Sequence, residues 1–261
     1  MNRMVRSLIA GALVAVGAAA LIPACADNNS SLFIANVLYD EPPQCIVIPD
    51  ITSISLGGGT LDLAFRKTYE ASLLVGNQMA ARGSKETLRA ETSRVTLRGA
   101  EITISDSTGN TLYNFSVNGT GFVDVSRGED AAYGIFDAEL IPASVGDKLL
   151  ARLNDLKAKT NSTSQQTSDQ VVAKVRVFGD SLGNEDITSS ELSFPITYCE
   201  GCLIEYPLIA VGTADAMGVQ HCQNDLTDLP VPGCRLGQDD PIDCRSCSAT
   251  NTLCDVVPSG Q

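Results

Sequence analysis

Along most of its length this chain places apolar residues at every second position, and that period decides what it can fold into. Leu61, Leu63 and Phe65 share one face, as do Tyr69, Ala71, Leu73 and Val75. Val95 and Leu97, then Ile102 and Ile104, continue the series. Residues 112–117, 121–125 and 133–140 extend it. A period of two sends successive side chains to opposite sides of a strand, so each segment has one face to bury. Turn residues part the segments at short intervals, most plainly Ser107-Thr108-Gly109-Asn110. Short alternating segments punctuated in this way predict a mainly β domain, a sandwich or barrel, over residues 56–198. With no Trp and only 5% aromatic residues, its core must rest on Val, Leu, Ile and Ala.

One segment breaks the rhythm. Over residues 144–159, Val145, Leu149, Leu153 and Leu156 fall on one helical stripe. Ser144 reads as the N-cap with Asp147 as its capping-box acid, and Lys157 and Lys159 suit the C-terminal end of the dipole. This predicts one short amphipathic helix packed on a sheet edge. Residues 161–168 (NSTSQQTS) are polar and low in complexity, which predicts a loop. Residues 171–178 and 187–196 then read as a last hairpin. Upstream, residues 32–38 and 45–48 read as short apolar strands around Glu41-Pro42-Pro43, within a tether and N-terminal segment spanning 25–55.

The first 24 residues have a different character. Arg3 and Arg6 precede an apolar run over 8–22, shorter than the ~20 residues that a membrane-spanning helix needs. The run ends at Ile22-Pro23-Ala24-Cys25. This layout resembles the signal of bacterial lipoproteins, in which a branched apolar residue, a small residue and Gly, Ala or Ser precede the cysteine. Ile22, Ala24 and Cys25 match, while Pro23 stands where a small residue is usual. The resemblance implies cleavage before Cys25, acylation of Cys25 and anchoring in a membrane. In that family an Asp directly after the cysteine favours the inner membrane. Ala26 occupies that place here, with Asp27 one later, so the expected site is the outer membrane. The alternative is ordinary secretion after cleavage at Ala24-Cys25-Ala26.

An exported chain meets an oxidising compartment, and that governs the cysteines. Setting Cys25 aside leaves Cys45, Cys199, Cys202, Cys222, Cys234, Cys244, Cys247 and Cys254. Seven of these lie in the tail over 199–261, and seven cannot pair among themselves. If every thiol is paired within the chain, Cys45 bridges to the tail; Cys199 and Cys202 are the expected partners. The tail is rich in Cys, Asp, Gly and Pro and poor in periodic apolar residues, so it needs its bridges to hold a shape. Cys199-x2-Cys202 and Cys244-x2-Cys247 also have zinc-knuckle spacing. Four disulfides account for all eight cysteines and a cysteine-only zinc site for four, so no metal is expected. A redox CxxC of the thioredoxin kind sits at a helix N-terminus, whereas Cys199 follows a strand. Asp239, Asp240 and Asp243 match no calcium-loop spacing and read as turn acids.

Two motifs carry catalytic associations. Phe178-Gly179-Asp180-Ser181-Leu182 resembles the first block of the GDSL esterases and satisfies G-x-S-x-G, with Ser181 as the nucleophile. That family keeps an Asp and a His three residues apart near its C-terminus. Here the one histidine, His221, has Gly218 at that place and Asp215 six residues before it. The later G-x-N-D block has only the echo Cys222-Gln223-Asn224-Asp225. The alternative reading is a polar hairpin turn, in which Gly and Asn supply positive φ. Leu56-Gly57-Gly58-Gly59-Thr60-Leu61-Asp62 resembles the phosphate loop of actin-like and Hsp70-type ATPases, but Ser55 replaces the family's Asp. It reads as a link into a strand. Asn114-Phe115-Ser116, Asn118-Gly119-Thr120 and Asn161-Ser162-Thr163 read as turn chemistry.

Function remains open at this level. The net charge of −13 repels nucleic acid and anionic membranes at long range, and one histidine excludes multi-His metal sites. The alternating body resembles immunoglobulin-like envelope modules by pattern, and a fold shared by pattern does not carry function. The expectation is a lipid-anchored envelope protein with a structural, adhesion or binding role and no cofactor. A Ser181 esterase and an exported small-ligand-binding protein are the alternatives.

Overall fold

A computed structural model describes residues 31–128, 130–160, 167–223, 228–248 and 250–258. Residues 1–24, Cys25, residues 161–166 and the Asn224-Asp225 pair lie outside the described residues. In chain order the strands are β1 (Leu32–Leu38), β2 (Ser55–Leu56), β3 (Gly59–Asp62), β4 (Tyr69–Asn77), β5 (Val95–Asp106) and β6 (Thr111–Val123). They continue with β7 (Ala132–Ile141), β8 (Ser168–Ser181), β9 (Asp186–Thr188), β10 (Leu192–Cys199), β11 (Ile204–Glu205) and β12 (Ile242–Asp243). Helix α1 (Ala143–Thr160) joins β7 to β8, and a single turn, α2 (Cys244–Cys247), follows β12.

Two sheets form the sandwich that the alternation predicts. One runs β2-β1-β4-β7, antiparallel throughout. The other runs β3-β10-β8-β5-β6, with β9 also on β8; only the β3–β10 pair is parallel. Inward residues of both sheets interleave. Tyr69, Ala71, Leu73 and Val75 of β4 and Phe136, Ala138 and Leu140 of β7 meet Ala100, Ile102 and Ile104 of β5 and Val171, Ala173, Val175 and Val177 of β8. Burying such side chains is worth about 1.5–3 kcal/mol each and drives the assembly. β1 shows that the segment over 25–55 is more than a tether. It inserts between β2 and β4 and buries Leu32, Ile34 and Val37.

The pairing register orients the molecule. Leu32, where the described chain begins its first strand, pairs with Asn77 at the end of β4, while Tyr69 at the start of β4 pairs with Ile141 at the end of β7. In the second sheet Cys199 pairs with Ser168, and Ser181 pairs with Val95. Asn77 ties the two sheets at the Leu32 end. Its buried amide donates to the carbonyls of Ser93 and Asp124, both at 2.9 Å, and accepts from Met79 N–H. The tail leaves from Cys199 at the opposite end.

Helix α1 closes that opposite end. It buries Val145, Leu149 and Leu153 in the main core, and Arg152 pairs with Asp169 at 3.1 Å. Lys157 reaches Glu200 at 2.7 Å, and Lys148 lies 5.0 Å over the Tyr113 ring. The predicted cap is corrected. The Pro142 carbonyl accepts from Val145 and Gly146, so Ser144 and Asp147 lie inside the helix and the first turn has no acid. The proline carbonyl, just before the helix, takes the capping position by itself.

Other local readings also change. Residues 45–48 form no strand: they follow the turn that closes with Cys45 N–H on the Glu41 carbonyl, and Ile46 and Ile48 are 68% and 63% exposed. Residues 112–117 and 121–125 belong largely to one long strand, β6, because a bulge opposite Leu97 and Gly99 absorbs the break in alternation. Asn114 and Asn118 therefore lie in β6 and not in turns. Residues 187–196 split into β9 and β10, both on β8. Phe65 leaves the strand pattern and packs on the tail.

The tail is a small appendage. β11 and β12 pair in parallel, and its core consists of Ile204, Ala210, Ile242, Cys244, Cys247 and Cys254. Three of these six are bridged cysteines, so cystine sulfur replaces the aliphatic side chains that the tail lacks.

Candidate functional site

Chemistry-bearing groups concentrate where the appendage meets the sandwich. Four disulfides use all eight cysteines: Cys45–Cys234, Cys199–Cys202, Cys222–Cys244 and Cys247–Cys254. Cys45 does bridge to the tail, but to Cys234, which corrects the expected pairing with Cys199 or Cys202. The reason lies in the sheets. Cys45 hangs from the β1–β2 loop of one sheet, and Cys199 ends β10 of the other. Packed sheets stand ~10 Å apart, beyond the reach of a disulfide. Arg235 pairs with Asp40 at 2.9 Å and so brings Cys234 to the first sheet.

Asp62, the last residue of β3, is the hub of the junction. It is fully buried. Its carboxylate accepts from Gly201 N–H at 2.7 Å, Leu203 N–H at 3.0 Å and Ala64 N–H at 3.0 Å. Its own backbone N–H donates to the Gly237 carbonyl. One side chain thus binds the CxxC turn, the start of the appendage and the β3–β4 loop. Burial raises the Asp62 carboxyl above the usual range, against the pull of its three donors. Asp62, Cys199 and Cys202 are the one trio among the described residues whose ligand atoms lie within 4.8 Å of one another. With both sulfurs in a disulfide, the trio offers a metal a single carboxylate.

A second polar knot lies beside it. Asp239 accepts from Thr60 N–H at 2.7 Å and from Tyr69 Oη–H at 2.8 Å. Burial raises the Asp239 carboxyl, and burial together with the neighbouring Asp239 raises the Tyr69 phenol. Tyr39 donates to Asp240 at 2.5 Å, and that hydrogen bond pushes its phenol up to about 12. Gln238 exchanges hydrogen bonds with both backbone groups of Glu70. Tyr39, Asp40, Tyr69, Arg235, Asp239 and Asp240 help line a cavity of 20 Å³, about the space of one water and too small for an organic ligand. The three acids considered for calcium are each engaged by protein donors. Asp243 caps α2 through Arg245 N–H and holds the Arg245 guanidinium at 2.7 Å.

The esterase constellation is not brought together. Ser181 ends β8 at the Leu32 end, and its hydroxyl accepts from Glu185 N–H at 3.1 Å in the turn to β9. Asn184 has φ of +63°, as the hairpin reading requires. Gly179 is needed for packing, since a Cβ there would lie 2.1 Å from the Thr96 carbonyl oxygen. His221 lies in the appendage, 3.2 Å from Asp215. A fluorophosphonate probe is therefore expected to leave Ser181 unlabelled in the folded protein; labelling abolished by Ser181→Ala would restore the hydrolase reading. Within the glycine-rich run Gly59 likewise serves packing, while Gly57 faces open space. A Cβ on Gly59 would lie 2.2 Å from the Tyr69 hydroxyl.

Sequence reasoning missed Asp62, because its partners Gly201 and Leu203 lie about 140 positions away and backbone donors leave no residue signature. It also missed the apolar exposure at this end of the molecule. Besides the isoleucines of the β1–β2 loop, Leu208 and Met217 are 95% and 86% exposed. No helix among the described residues is long and apolar enough to cross a membrane. Searched against protein-family models, curated proteins and solved structures, the chain matches none.

Proposed function

We propose that this protein is a lipid-anchored lipoprotein of the bacterial outer membrane that displays its cystine-stapled end to a protein partner. Acylated Cys25 would be the anchor, residues 26–31 the tether, and the sandwich a spacer. Neither a cofactor nor a nucleic acid enters this reading. The observation that carries it is polarity along the strands. Residue 31 lies at one end of the sandwich, and the β1–β2 loop with its exposed isoleucines, bridged to the appendage through Cys45–Cys234, lies at the other. β1 alone, seven residues long, carries the chain about 24 Å from the first end toward the second. Exposed large apolar side chains held on a bridged loop suit a recognition surface rather than a catalytic cleft.

The test is the intact mass of protein purified from membranes, alkylated with and without prior reduction. The expected mass is that of residues 25–261 plus acyl chains, with no alkylation until the disulfides are reduced. A mass beginning after Ala26 with no lipid would establish a freely secreted protein, and free thiols in the unreduced sample would contradict the bridging.

A further inference from the structure

The Cys199–Cys202 bridge closes the shortest span of the four, and its two members differ in exposure. Cys199 is fully buried as the last residue of β10, whereas Cys202 is exposed. A thiolate in solution therefore has access to one sulfur and not to its partner. The two cysteines are three residues apart in a single turn. Asp62 grips that turn through the N–H groups of Gly201 and Leu203, so opening the bridge releases no distant segment and leaves the sulfurs side by side. Cys45–Cys234 also has an exposed member, but it joins segments 189 residues apart, and its opening would free the β1–β2 loop.

The Asp62 carboxylate lies within 4.8 Å of both sulfurs. Burial raises its affinity for a proton, and the neighbouring Glu200 adds to that. Glu200 is itself paired with Lys157 of α1. The nearby cations point elsewhere: Arg66 to Thr68 and Glu70, and Lys67 to the Leu63 carbonyl. A carboxyl in such a site suits proton exchange with an adjacent thiol.

We propose that Cys199–Cys202 is a thiol–disulfide exchange site in which Cys202 is the attacked sulfur, Cys199 the leaving sulfur and Asp62 the group that exchanges the Cys199 proton. The co-reactant is a dithiol. Its thiolate attacks Cys202 Sγ, forming a mixed disulfide and breaking the Cys199–Cys202 bond. The electron pair leaves on Cys199 Sγ, which takes a proton from the Asp62 carboxyl. The second thiol of the co-reactant then displaces Cys202, closing the co-reactant's own disulfide; Cys202 is protonated from water. The protons released by the dithiol restore the Asp62 carboxyl, so two electrons and two protons pass to the bridge. With an oxidised co-reactant the steps reverse, and the Asp62 carboxylate receives the Cys199 proton.

The test is titration of the full folded chain with dithiothreitol, followed by alkylation and mapping of the modified cysteines by mass spectrometry. Cys199 and Cys202 are expected to become alkylated before the other six, with the far-ultraviolet circular dichroism unchanged and full re-closure on oxidised dithiothreitol. Another bridge opening first, or Cys199–Cys202 opening only as the chain unfolds, would overturn the site. The role of Asp62 has its own readouts. Asp62→Asn is expected to slow opening about tenfold or more, as loss of a positioned proton donor does, with the other three bridges intact. Should that variant fail to fold, the wild-type rate serves. Normalised to thiolate concentration, it is expected to fall as pH rises through the Asp62 titration, and a flat profile would remove Asp62 from the step.

Discussion

Replacing both Cys45 and Cys234 with serine is expected to lower the unfolding free energy by about 5 kcal/mol, the largest single effect in this molecule. The bridge spans 189 residues, and the other three span 22, 7 and 3. In the chain-entropy account a cross-link acts mainly on the unfolded chain, and its effect grows with the logarithm of the loop it closes. The same account gives the Cys199/Cys202 double variant a loss under about 2 kcal/mol. Urea unfolding separates the two. The Cys45/Cys234 variant should also show a larger m-value, because its unfolded chain expands once the long loop is released. Similar losses for the two double variants, or an unchanged m-value, would show that the bridge acts through native contacts instead. A domain of this kind has only about 5–15 kcal/mol to lose, so the variant should sit near the edge of folding.

Asp62→Ala should cost about 2–4 kcal/mol, because it orphans one buried backbone donor, that of Gly201, and two half-buried ones, those of Leu203 and Ala64, at ~1–3 kcal/mol each, less what water and relaxation recover. The loss should appear as detachment of the appendage, with early proteolysis after Cys199, because two of the three donors belong to the CxxC turn and the residue after it. Its pH dependence has a definite sign. Burial raises the folded-state titration of Asp62 above its unfolded value. Such a group contributes stability that is full below the unfolded carboxyl range near 4 and is lost as pH rises through the folded value. The deficit of Asp62→Ala relative to the wild type should therefore be largest near pH 4 and shrink toward neutrality. Urea midpoints at pH 4, 5.5 and 7 would show it, and a deficit that grows with pH would contradict the burial argument.

Much of the fold was readable because its causes are local. Tyr69, Ala71, Leu73 and Val75 alternate within one strand, and all four reach the core. The stripe of Val145, Leu149, Leu153 and Leu156 is set by the helical period; the first three are buried and Leu156, nearer the helix end, is half-buried. Asn184 and Gly109 occupy positive φ where turn chemistry places them. The errors fall where two causes compete at short range. Ser144 is a good capping residue, yet the Pro142 carbonyl comes first. Residues 45–48 are apolar enough for a strand, but the turn before them and the Cys45 bridge hold them off the sheet.

With Cys25 set aside and every other thiol paired, parity sent Cys45 to the tail, because seven cysteines cannot pair among themselves. Its choice of Cys234 over Cys199 came from the separation of the two sheets and the reach of Arg235 toward Asp40, which are distances between segments far apart in the chain. Asp62 belongs to the same class. A carboxylate at the end of a strand is unremarkable in a sequence; it becomes the hub of the junction only when parallel pairing of β3 and β10 sets it beside the backbone of residues 199–203. Periodicity, turn chemistry and cysteine parity are properties of neighbours and counts, so the chain states them outright. Bridge partners, buried acceptors and the end of the sandwich that carries the appendage depend on three-dimensional proximity, and only folding supplies that.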